Sequence, residues 1–80
     1  MAALLIAVPL TRAATAPDEA RVCTWVLELA ARAGEEPKAP DQRACEEHYA
    51  ERRAALGWFA WGQLARCTLR AQTLPDAGGC

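Results

Sequence analysis

Apolar residues follow two patterns along this chain. From Ala2 to Leu10 they form an uncharged run, ended by Arg12. From Pro17 onward they recur every three or four residues, the period of a helix that buries one face. Val22, Val26, Leu29 and Ala33 share one stripe, with Cys23, Leu27 and Ala30 beside it, which predicts a helix from about Asp18 to Ala33. Pro17-Asp18-Glu19 suits its start, because proline fits the first helical turn and acids favour the positive end of the helix dipole. Gly34 stops it, and Pro37 and Pro40 make the following residues a loop.

Asp41 is placed to cap a second helix from about Gln42 to Leu56. Its apolar stripe is thin: Cys45, Tyr49 and Leu56, flanked by Ala44, His48 and Ala55, with Glu and Arg at most other positions. Such a helix buries one narrow face. Gly57 marks a break or bend. The alternative is one helix from Gln42 to Gln72, since a glycine costs only about 1 kcal/mol inside a helix. A third helix is predicted from about Trp58 to Thr73. Trp58, Trp61, Ala65 and Leu69 form one line, and Leu64, Cys67, Ala71 and Leu74 the next. Residues 74–80 read as a turn that ends on Cys80. The expected fold is all-α: a small, disulfide-stapled bundle of about three short helices.

With 80 residues there is at most one domain, with a core small enough for covalent staples to matter. Nine basic and ten acidic residues give a net charge of −1, and among the basic ones only Arg52 and Arg53 are adjacent. That pattern describes solvated helix faces and not the clustered basic face of a nucleic-acid binder. The N-terminal run, about nine residues, is too short for the ~20 of a membrane span and fits the roughly 7–15-residue core of a secretory signal. Small residues follow it. Thr11-Arg12-Ala13 allows cleavage before Ala14; Ala14-Thr15-Ala16 fits the small-x-small rule better but would leave Pro17 first. No Lys or Arg precedes the run, so a longer signal or an ordinary helix is the alternative. The expected organisation is a signal peptide or flexible segment over residues 1–16, then a helical domain over 17–80, secreted or periplasmic.

The four cysteines, Cys23, Cys45, Cys67 and Cys80, allow three disulfide pairings. If three helices run up, down and up from level starts, 1.5 Å per residue puts Cys23 roughly 7 Å, Cys67 roughly 13 Å and Cys45 roughly 16 Å up the bundle. Those heights favour Cys23–Cys67 with Cys45–Cys80, closely followed by Cys45–Cys67 with Cys23–Cys80. A Cys23–Cys67 bridge would close a loop of some 45 residues, worth about 4 kcal/mol. The even spacing of the first three cysteines does not mark a repeat, because the intervening segments share no core positions. The competing use of the sulfurs is a metal site. Cys45 and His48 lie on one helix face and, with Cys23 and Cys67, would complete a Cys₃His zinc set. A paired C-x-x-C redox motif is absent.

Trp58, Phe59 and Trp61 hold three of the five aromatic side chains. Trp58 and Trp61 sit at core spacing, but four consecutive apolar residues, 58–61, cannot all face inward. Phe59 or Trp58 is therefore expected to be at least half exposed, and the trio is the candidate interaction surface. Glu46, Glu47, His48 and Glu51 carry acid–base groups on a helix too charged to form a water-excluding pocket, and read as a solvated face. No phosphate loop, nucleophile elbow or hydroxyl–His–acid pattern accompanies them.

The stretch Arg66-Cys67-Thr68-Leu69-Arg70-Ala71-Gln72-Thr73-Leu74-Pro75-Asp76-Ala77-Gly78-Gly79-Cys80 resembles the end of small uncharacterised bacterial secreted helical proteins with four cysteines. The resemblance implies export and disulfides, and no activity. The functional expectation is a small exported, non-enzymatic protein without a cofactor, acting through contacts with a protein partner. A Cys/His metal-binding module is the alternative. A membrane-active peptide is disfavoured by the near-neutral charge.

Overall fold

A computed structural model describes residues 16–36, 39 and 41–80. The expected signal segment, Ala16 apart, lies outside the described residues. Those residues are all-helical and contain no strand: α1 is Glu19–Ala33, α2 Gln42–Leu56, α3 Trp58–Arg70 and α4 Leu74–Gly78. Side-chain chemistry sets each boundary. The Asp18 carboxylate accepts the Arg21 N–H at 2.9 Å, and the Asp41 carboxylate accepts the Ala44 N–H at 2.8 Å. At the end of α1, Gly34 adopts the left-handed conformation (φ 67°), and the N–H groups of Gly34 and Glu35 donate to Ala31 and Ala30. This is the paired bonding of a Schellman cap.

Gly57 alone joins α2 to α3, with φ 84° and ψ 165°, a backbone region essentially reserved for glycine. The continuous-helix alternative is thereby set aside. A Cβ added at Gly57 would meet no atom within 4 Å, so only backbone strain opposes substitution. Gly57→Ala is expected to cost about 1–3 kcal/mol. Chemical denaturation measures it, and an unchanged midpoint would show that the corner relaxes without strain.

The third helix ends three residues earlier than its pattern suggests, at Arg70 instead of Thr73. Thr73 is extended and caps a further short helix, its hydroxyl accepting the Asp76 N–H at 3.3 Å, with Pro75 in the first turn. The tail expected to be a turn is therefore α4.

α1 and α3 run side by side in the same direction. The Trp61 indole donates to the Pro17 carbonyl at one end (3.0 Å), and the Trp25 indole donates to the Ala71 carbonyl at the other (2.9 Å). Two buried groups lie along this seam. Val22, Trp61, Leu64 and Ala65 form one; Leu29, Ala71 and Ala77 form the other. Thr68 is buried among them, its hydroxyl satisfied by the Leu64 carbonyl at 2.9 Å. Leu56 and Ala33, assigned to apolar stripes by spacing, lie on the surface at the helix ends.

Both favoured disulfide pairings are corrected by the structure, which joins Cys23 to Cys45 and Cys67 to Cys80, each with Cα atoms 5.8 Å apart. The level starts assumed for the helices do not hold. α2 begins beside the first turns of α1, where the Gln42 amide donates to the Ala20 carbonyl at 3.0 Å. Cys45 thus arrives opposite Cys23. At the other end α4 keeps the tail compact, and Cys80 returns to Cys67 instead of descending to Cys45.

Candidate functional site

Two features of this scaffold offer themselves to other molecules. The first is the corner where α2 meets α3. Trp58 is 56 % exposed, Phe59 59 % and Leu56 42 %, and the rings of Trp58 and Phe59 stand edge to face with centroids 6.1 Å apart. Of the three aromatics expected at an interaction surface, two are solvent-exposed. Trp61 is fully buried and belongs to the core. The division follows from helix geometry: Trp61 faces α1 and the Pro17 carbonyl, which leaves positions 58 and 59 turned away from the seam.

Trp61 also anchors the corner. Tyr49 meets its ring edge-on at 6.1 Å between centroids, and the Arg53 guanidinium lies 5.6 Å from the ring centroid. The same Arg53 group donates from Nη1 to both Glu19 carboxylate oxygens at 3.2 Å, tying the end of α2 to the start of α1. Between residues 52 and 66 the chain carries Arg52, Arg53 and Arg66 and no acid.

The second feature is a partly open cavity of about 440 Å³ lined by all four helices and the loop after α1. Val26 and Leu27 of α1, Leu64 of α3 and Leu74 and Ala77 of α4 give it apolar walls, and one cysteine of each disulfide lines it. α2 contributes Cys45, His48, Tyr49 and Arg52, spaced as one helix face; Glu35 and Glu36 lie on the loop side. Burial pushes the Tyr49 phenol above its ordinary ionisation range, against the opposing pull of the Arg52 charge. Tyr49 is thus a neutral hydroxyl, able to donate, across the physiological range. The sequence shows the spacing of 45, 48, 49 and 52. It does not show that residues of the loop after α1 and of a fourth helix line the same space.

The other candidate sets are not assembled. All four sulfurs are in disulfides, so Cys23, Cys45, Cys67 and His48 do not converge as a thiolate set. Among the described residues no group of three or more His, Cys, Asp or Glu is arranged to hold a metal ion. Glu47 pairs with Arg43 at 3.3 Å on the exposed face of α2, and His48 stacks edge-on against Tyr49 with centroids 5.2 Å apart. Glu47, His48 and Glu51 are exposed on α2 and Glu46 is half-buried; of the four, His48 lines the cavity. Among the described residues no helix is long and apolar enough to cross a membrane. No protein-family model, curated protein or solved structure matches the chain.

Proposed function

We propose that this is an exported, non-enzymatic interaction module that docks its Trp58–Phe59 corner into a partner protein. The observation that carries the reading is a pair of adjacent aromatic rings, both more than half exposed, on a one-residue corner that a left-handed glycine fixes and the buried Trp61 braces. Rigid aromatic side chains supply large contact area at little entropic cost and dominate interface energetics. Export rests on the two disulfides, which persist in oxidising compartments, together with the N-terminal apolar run and the resemblance of residues 66–80 to secreted proteins.

Phe59→Ala is expected to leave thermal stability nearly unchanged, within about 0.5 kcal/mol, as for most surface positions. Thermal unfolding checks this, and loss of the fold would remove Phe59 from the surface. The function itself is tested by a photoreactive group at position 59 in the producing cell, with an identical group at exposed Gln72 as control. The expected result is one adduct specific to position 59 that Trp58→Ala abolishes. Equal adducts from both positions, or none, would overturn the docking role. Intact mass of the natural protein addresses export separately: processing before residue 17 and loss of two hydrogens per disulfide are expected, and an unprocessed, reduced chain would refute it.

A further inference from the structure

We infer that the cavity between the four helices binds one small amphiphilic carboxylate, with its apolar body against α1, α3 and α4 and its carboxylate at Tyr49 and Arg52. The volume, about 440 Å³, lies within the roughly 300–1,000 Å³ of small-molecule sites. At about 30 Å³ per water-sized group it accepts on the order of a dozen non-hydrogen atoms.

The polar groups are distributed unequally, and this selects the ligand. Arg43 and Arg53, the other arginines of α2, each pair with a glutamate; Arg52 has no ion pair among the described residues. The Tyr49 hydroxyl has no hydrogen-bond partner there either. Arg52 lies close enough to Tyr49 to bias its ionisation. An O–H donor and a guanidinium on successive positions of one helix face suit a carboxylate, which accepts at both oxygens. Glu35 and Glu36, exposed on the loop side, repel an anion there and orient the head group towards Arg52. Apart from the His48 imidazole and the disulfide sulfurs of Cys45 and Cys80, the remaining lining is hydrocarbon, which a charged molecule without an apolar body would gain nothing by covering. The roof is covalently retained, because the Cys67–Cys80 bridge holds α4 over Leu64.

The test is an NMR titration of the oxidised protein with decanoate, decyl alcohol and decylamine, each below its aggregation threshold. Saturable binding of decanoate is expected, with shifts concentrated at Leu27, Tyr49 and Leu74 and affinity above that of the alcohol and the amine. Arg52→Gln and Tyr49→Phe should each weaken decanoate binding, by roughly tenfold for the charge-assisted bond, and leave the alcohol unaffected. Leu27→Trp, which fills the cavity from its wall, should abolish binding of both. Should that variant misfold, the two head-group variants still decide. Equal affinity for all three head groups, tighter binding of the amine, or shifts centred on Trp58 and Phe59 would overturn the inference.

Discussion

Reducing both disulfides is expected to unfold the protein. The closed loops span 22 and 13 residues in sequence. The chain-entropy estimate for loops of that size is about 3 kcal/mol each. A domain's whole stability is of order 5–15 kcal/mol, and a chain this short sits near the lower end. Removing about 6 kcal/mol therefore decides whether the helices persist. The two bridges should not act alike. Replacing Cys23 and Cys45 by serine frees α2, whose only strongly buried residue is Cys45, from α1. Replacing Cys67 and Cys80 frees α4 and exposes the Leu29–Ala71 region, while the α1–α3 seam keeps Trp61 and Val22. Far-UV circular dichroism with and without reductant checks the main result; a helical signal indifferent to reductant would show that side-chain packing alone sustains the bundle.

Trp61→Ala is the point substitution with the largest expected effect, about 3–5 kcal/mol. Trp61 is the largest fully buried side chain, and its loss opens a cavity at the crossing of α1, α2 and α3. It also leaves the Pro17 carbonyl without its indole donor and removes the ring that Tyr49 and Arg53 pack against. Trp61→Phe separates these contributions. It retains most of the apolar contact while deleting the N–H, and should cost about 1–3 kcal/mol. Urea denaturation of the oxidised proteins reads both. Equal midpoints for wild type and Trp61→Ala would place the ring outside the core.

The helices were legible where a single residue enforces an end. Asp41 and Gly57 bracket α2 at the expected residues because a carboxylate cap and a glycine-only backbone angle act locally. Phe59 or Trp58 was expected on the surface by counting how many consecutive apolar residues a helix can bury, and both are there. The disulfide pairing was not legible, because it depends on where a loop delivers the next helix. α2 starts beside the first turns of α1, and no periodicity encodes that placement. Thr73 and Pro75 carried a recognisable start signal for α4, but two glycines and a five-residue length hid the helix. The cavity was illegible for a related reason: its walls come from four helices and a loop, and only their assembly shows that, among the described residues, Arg43 and Arg53 have carboxylate partners and Arg52 has none.

The connectivity of the sulfurs is consecutive, first with second and third with fourth. A polypeptide that emerges N-terminus first presents Cys23 and Cys45 before Cys67 and Cys80 exist outside the ribosome or translocon. An oxidant that joins thiols in order of arrival would therefore produce the native links directly, and thiol–disulfide exchange would have nothing to rearrange. Maturation of this chain should depend on an oxidase and be indifferent to a disulfide isomerase.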